Sequence, residues 1–192
     1  MSDGDAPHPS PSASDQVILA VTGSRRLRLS SLAQDWARAH IARVMDETGF
    51  THFVHGGAPG PDTIGGTLAA SRGRPVLIYR IGGVWSLLPA EGGFPREGRW
   101  SVAPNASDPL VRNVAMVRFL RSREVTGARV VLLGVEQEGT PTSGTGHTLR
   151  KAKDEGIVDI RSVVLSLDEG INFIVRERGI SRDAAREMIV RR

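Results

Sequence analysis

The feature that most limits the fold of this chain is a series of short, unbroken apolar runs, each closed by a turn and followed by a helical pattern. Residues 17–21 read VILAV and stop at Thr22-Gly23-Ser24. A strand with one wet face alternates apolar and polar residues; a continuous run suits a strand covered on both faces, as in a parallel sheet. Similar runs recur at 52–55, 75–81, 128–135 and 158–165. Between them, helical patterns are expected from Ser30 or Ser31 to about 48, over 62–71, over 109–123, and from the 143–146 turn to about 155. Gly49 and Gly156 stand where helices should end, and Asp108-Pro109 reads as a cap followed by a first-turn proline. This alternation predicts an α/β fold: Rossmann-like, doubly wound, with a mostly parallel sheet of five or more strands and helices on both faces. All strand-to-helix loops then share one edge of the sheet, where ligands of such folds bind.

Composition narrows the functional classes. With 192 residues the chain suits one domain with a substantial core. It has no cysteine, which excludes disulfides, cysteine-based zinc sites, iron–sulfur clusters and thiol catalysis. Its longest apolar run, 130–135, falls far short of the roughly 20 residues of a membrane span. No secretory signal is visible, so no membrane association and a cytoplasmic location are expected. Residues 1–15, rich in Pro, Ser and Asp, read as a disordered tail, 16–165 as the Rossmann-like domain and 166–192 as a helical extension. The extension holds two short helices, about 168–178 and 182–191, separated by Gly179 and carrying many arginines. Residues 82–107, with many Gly and Pro and with Trp85 and Trp100, read as a long irregular loop.

Three strand-to-helix junctions carry glycine: Gly23-Ser24-Arg25, then His55-Gly56-Gly57-Ala58-Pro59-Gly60-Pro61-Asp62, then Gly144-Thr145-Gly146-His147-Thr148. Glycine lets the backbone turn sharply and approach a ligand, and the amides at a helix start favour an anion. Arg25 can add a bidentate contact to phosphate. No G-x-G-x-x-G opens the first helix, and neither lysine, Lys151 or Lys153, stands in a Walker loop. A nicotinamide cofactor bound in the usual mode and ATP hydrolysis are therefore not supported, and no cofactor is assigned with certainty. Without a spaced carboxylate–histidine cluster, no metal site is assigned either.

The order Gly23-Ser24-Arg25, His55-Gly56-Gly57-Ala58-x-Gly60-x-Asp62, Arg112-Asn113-x-x-Met116 and Gly144-Thr145-Gly146 resembles the YspA-like branch of the SLOG superfamily. That superfamily also holds the lysine-decarboxylase-like phosphoribohydrolases and DNA-processing protein A. The resemblance covers roughly residues 17–165 and implies a Rossmann-like domain binding a nucleotide or a nucleotide-derived, ADP-ribose-like ligand. It also makes a homodimer an expected assembly. The chain departs from the phosphoribohydrolase signature PGGxGTxxE: the corresponding stretch runs Ser143-Gly144-Thr145-Gly146-His147-Thr148-Leu149-Arg150, with no acid at the catalytic position.

Each candidate residue carries a plain reading beside a functional one. Asp62 is either a first-turn carboxylate offsetting the helix dipole or a contact to ribose or water. Arg112 opposes that dipole at the start of its helix and so needs another reason, either a structural pair or a phosphate. Asn113 would read a base or sugar hydroxyl. His55 is either an interior imidazole or a general acid–base, and Glu91 or Glu97 could supply the missing acid from the long loop. Ligand contacts are thus expected at Gly23, Ser24, Arg25, Gly56, Gly57, Gly60, Asp62, Arg112, Asn113, Gly144, Thr145, Gly146, His147 and Thr148. Three functions compete: a sensor or binding module for a small phosphorylated ligand, a nucleotide N-glycosidase using Asp62, His55 or a loop glutamate, and single-stranded nucleic-acid binding. The last rests only on the +4 charge and is disfavoured.

Overall fold

The computed structural model describes residues 13–80, 83–86, 98–101, 108–139 and 144–190. Five parallel strands form the centre of one sheet: β1 (Val17–Gly23), β2 (His52–His55), β3 (Val76–Arg80), β6 (Arg129–Gln137) and β7 (Asp159–Leu165). Two further strands, β4 (Gly83–Ser86) and β5 (Gly98–Ser101), add antiparallel pairs beyond β3. The order across the sheet is β5-β4-β3-β2-β1-β6-β7. The chain works outward from β1 in one direction and then restarts at β6 on the other side, so the topological switch point lies between β1 and β6.

The unbroken apolar runs are explained by burial on both faces. In β1, Leu19 and Val21 pack into one core while Ile18 and Ala20 pack into the other. In β6 the same division puts Val131, Leu133 and Val135 on one side and Val130 and Leu132 on the opposite side. The first core is covered by α1 (Ser31–Thr48) and α2 (Pro61–Ser71), with Phe173 of α5 (Leu167–Arg178) at its margin. The second is covered by α3 (Pro109–Val125) and α4 (Gly144–Asp154). The architecture is therefore the Rossmann-like doubly wound one that the sequence predicts.

The helix ends follow the expected chemistry. The Ser30 hydroxyl accepts the Ala33 N–H at the start of α1, and Gly49 closes that helix in the left-handed conformation (φ 61°). Asp108 caps α3 ahead of Pro109, its carboxylate accepting the Leu110 N–H at 2.7 Å. Gly179 (φ 63°) ends α5, and Ser181 accepts the Ala184 N–H in α6 (Arg182–Val190). The α5–α6 pair closes a small core of Ile171, Ile174 and Ala185.

The structure differs from the sequence reading in three places. The segment 82–107, read as irregular, contains β4 and β5. Each is only four residues long and begins with glycine, too short for any periodicity to show. β4 pairs antiparallel with β3 and covers its outer edge, and β5 pairs antiparallel with β4 in turn. Between β1 and α1, residues Arg25–Leu29 form a 3-10 turn that no pattern announced. Within the N-terminal tail, Ala13–Asp15 form a further short 3-10 turn. Glu91 and Glu97, the loop acids of the sequence reading, lie outside the described residues.

Candidate functional site

A cleft of about 450 Å³ opens at the switch point, at the carboxyl ends of the strands. It gathers Gly23, Ser24, Arg25, Asp62, Arg112, Asn113, Gly144 and Thr145 from the expected set. Gly56, Gly57, Gly60, Gly146, His147 and Thr148 do not line it. The cleft adds Asp108, Pro109 and Leu110 from the start of α3, and Arg26 beside Arg25. Leu110 is 41% exposed, high for a leucine on a wall of this kind. Its signal in the sequence was its place directly after a capped, proline-initiated helix start, which was read for capping alone.

The polar residues at the floor form two hydrogen-bonded struts between the glycine turns. The first strut is Asp62, 2% exposed. Its Oδ1 accepts the Gly23 N–H at 2.9 Å and its Oδ2 accepts the Ala58 N–H at 3.3 Å; the Gly56 N–H also bonds to it. The first turn is thus tied to the second through one carboxylate. The second strut begins where Arg112 Nη1 donates to the Gly56 carbonyl. Arg112 Nε donates to Asn113 Oδ1 at 2.9 Å, and Asn113 Nδ2 donates to the Gly144 carbonyl at 3.3 Å. The second turn is thereby tied to the third. The basic first-turn residue of α3 has found its reason, which is the Gly56 carbonyl across the cleft floor.

Gly56 stands between these struts. A Cβ there would lie 2.9 Å from Asp62 Oδ2 and 3.0 Å from Arg112 Cζ, so the two side chains flank the bare Cα. Gly60 holds φ 108°, a conformation that side chains rarely adopt, with the Ser24 carbonyl 3.2 Å from where its Cβ would be.

This arrangement redistributes the roles of the three turns. The Gly23 N–H is taken by Asp62 and the Ser24 N–H by the Val135 carbonyl at 2.9 Å. In the second turn the Gly57 N–H bonds His55 Nδ1, the Ala58 N–H bonds Asp62, and the Gly60 N–H bonds Thr63 Oγ1. The amides that the sequence offers to an external anion are thus taken up internally, by the Asp62 carboxylate, the Val135 carbonyl, His55 and Thr63. The third turn is different. Thr148 Oγ1 and Asn113 Nδ2 both bond the Gly144 carbonyl and fix the start of α4. Thr145, 2% exposed and lining the cleft, has a buried hydroxyl with no hydrogen-bond partner.

The electrostatics follow from burial. Burial pushes the Asp62 carboxyl up to about 6, against the pull of the Ala58, Gly23 and Gly56 amides and the Arg112 charge. Burial also lowers the Arg112 guanidinium from its ordinary value, opposed by Asp62 and assisted by Arg25. Arg25 and Arg26 are exposed and form no ion pair among the described residues.

The two histidines of the expected site sit elsewhere. His55 is buried beneath α2, where its Nε2 has no partner and would meet a Cβ on Gly66 at 2.6 Å. Burial and the Arg80 and Arg112 charges push it down to about 3, so it is a neutral interior imidazole at ordinary pH. His147 lines a separate small cavity with Arg150 and Lys151.

Fold and cleft together define a Rossmann-like α/β protein with a polar cleft at its switch point. No protein-family model matches the chain, and a search of curated proteins finds no match either. Among the described residues no helix is long and apolar enough to cross a membrane.

Proposed function

We propose that the cleft binds a small phosphorylated, nucleotide-like ligand and that the protein acts as a binding module or sensor. The observation that carries this reading is the buried, unpartnered hydroxyl of Thr145, a residue of the first turn of α4 that lines the cleft. A buried hydroxyl without a partner is costly, and a ligand oxygen accepting its hydrogen removes that cost. The helix start around it favours an anion, and Arg25 and Arg26 at the mouth add cationic donors. Pro109 and Leu110 give the cleft one apolar wall, suited to a base or sugar rather than to a second phosphate.

Asp62 fits the binding reading better than the hydrolytic one, because both of its oxygens hold backbone amides of the turns. The motif resemblance to the SLOG superfamily supports the same class of ligand, and membership of that superfamily is part of the proposal. A homodimer and a cytoplasmic location remain expectations of the same kind.

The test is calorimetric titration of the full chain with AMP, followed by the Thr145→Val variant, which keeps the shape and removes the hydroxyl. Saturable binding is expected, weakened about tenfold by the variant, the loss of roughly one charge-assisted hydrogen bond. Absence of heat and of thermal shift at millimolar AMP defeats the reading.

A further inference from the structure

On one side the sheet ends at β7, and the outer edge of that strand is open. Every other parallel strand has a neighbour on both sides, whereas β7 pairs with β6 alone. The Leu165 carbonyl accepts the Glu138 N–H, so Leu165 directs its backbone groups to β6, and in an unbroken register Asp159, Arg161 and Val163 do the same. The backbone groups of Ile160, Ser162 and Val164 therefore point outward. Among the described residues nothing bonds to them. Ser162 is exposed, and Val164 is 44% exposed, an apolar side chain left in water. A second cavity, of about 680 Å³, opens at the carboxyl end of β7 between α1, α5 and α6. It shares Arg26 with the first cleft and takes only Leu165 from the strand, so it covers none of the three outward residues.

Exposed strand edges are normally guarded by a proline, a bulge, an outward charge or extreme shortness. β7 has none of these. It runs for seven residues, without proline and in unbroken register. Its one basic side chain, Arg161, is held towards α1: Nε donates to Asp159 Oδ1 at 2.9 Å and Nη1 to Glu47 Oε2 at 3.2 Å. The strand also reads alike in both directions about Ser162. Ile160 and Val164 stand two places to either side of it, on the face of the second core, to which Ile160 already contributes.

We propose that β7 pairs antiparallel with β7 of a second copy of this chain, about a two-fold axis at Ser162, joining two seven-stranded sheets into one. In this register Ser162 faces the partner's Ser162, Ile160 the partner's Val164, and Val164 the partner's Ile160. All three are hydrogen-bonded pairs, with about six backbone bonds in all. The two isoleucine–valine pairs cover the wet valine on both copies. The neighbouring registers are worse. Centring on Arg161 sets like charges directly opposite each other. Centring on Val163 puts Ile160 opposite Ser166, the cap of α5 beyond the strand, and loses the outermost bonds. The self-complementary pattern favours a second copy over an unrelated extended peptide. This surface is independent of what the cleft binds, and it assigns an interface where the motif resemblance gives only an expected dimer.

The experiment exploits the absence of cysteine from the chain. Ser162→Cys places two thiols on a hydrogen-bonded pair whose Cα atoms lie about 5.5 Å apart, inside the range that a disulfide bridges. Mild oxidation of the full chain is expected to cross-link Ser162→Cys into a dimer and to leave Val125→Cys, 68% exposed at the end of α3, uncross-linked. Sedimentation of the parent is expected to show a mass rising with concentration to twice that of one chain. Ser162→Pro removes an outward N–H and no bond to β6, and is expected to weaken the dimer at least about tenfold. Leu167→Arg, exposed beyond the end of the strand, is expected to leave the dimer unchanged. A thermal melt on each variant shows that the fold is kept. A parent that stays monomeric at near-millimolar concentration overturns the proposal. So does a dimer that Ser162→Pro leaves intact, or one in which Val125→Cys cross-links as readily as Ser162→Cys.

Discussion

The two cavities share one sheet edge and one arginine, yet they are built by different means. The first is framed by backbone turns braced by Asp62, Arg112 and Asn113, each buried and each hydrogen-bonded to turns from other segments. The second is framed by the side chains of helices whose polar caps are satisfied locally, as Ser30 and Ser166 are by Ala33 and Glu169. The difference teaches where rigidity comes from in an open parallel sheet. The edge itself supplies only loops. A cavity becomes a fixed polar site when buried side chains tie those loops to one another, and otherwise it stays a gap between helices that packing alone holds open.

The comparison breaks if the struts carry no energy. Asp62→Ala strands the Gly23 and Ala58 amides in a buried place and should cost about 2–4 kcal/mol of stability, read by urea unfolding. A loss below about 0.5 kcal/mol, the usual scatter of surface substitutions, would mean that the carboxylate is no brace. Gly56→Ala drives a methyl between Asp62 and Arg112 and should cost about 1–3 kcal/mol while lowering AMP affinity. Unchanged melting would show that the two side chains separate freely.

Asn113→Ala sharpens the contrast across the arginine. It should remove about 1 kcal/mol and weaken AMP binding, since the α4 start loses its tie to α3. Leu167→Arg in the other cavity should stay within about 0.5 kcal/mol of the parent. Equal effects from the two would abolish the distinction between a braced cavity and a packed one.

The smallest expected effect is in the pH profile. His55, neutral in the fold with its pKa near 3 against 6.5 for the free group, contributes stability that is present above 6.5 and lost as the pH falls towards 3. Asp62, raised from 3.8 to about 6, contributes in the opposite sense: its share is present below 3.8 and lost as the pH rises through 6. Between these values the two slopes cancel, so this pair adds little pH dependence from about 4 to 6. His55→Asn removes one side, and unfolding curves should then show stability falling as the pH rises across that window. A profile unchanged from the parent would show that His55 titrates near its ordinary value.

Much of the fold was legible because it rests on local pattern. The apolar runs of β1 and β6, the serine cap of α1, Asp108-Pro109 at α3 and the glycine stops each depend on a few neighbouring residues. The hairpin strands β4 and β5 were not legible, since four residues carry no period and a partner strand decides their shape. The candidate site was legible as a list of residues and less so as a set of roles. Asp62, Arg112 and Asn113 stand in the cleft as expected, but as braces between turns. His55 sits one strand-end away, beneath α2.

The sequence by itself determined a two-faced parallel sheet and glycine turns gathered on its carboxyl edge, because burial and turn chemistry act over short stretches of chain. Tertiary structure alone decided how the polar groups of the three turns are paired. Gly23 and Asp62 are 39 positions apart, and Asn113 and Gly144 are 31 apart. A hydrogen bond forms only when packing brings donor and acceptor within about 3 Å. Until the helices settle on the sheet, nothing in the chain says that one carboxylate will bridge the first two turns and leave Thr145 unpartnered at the third.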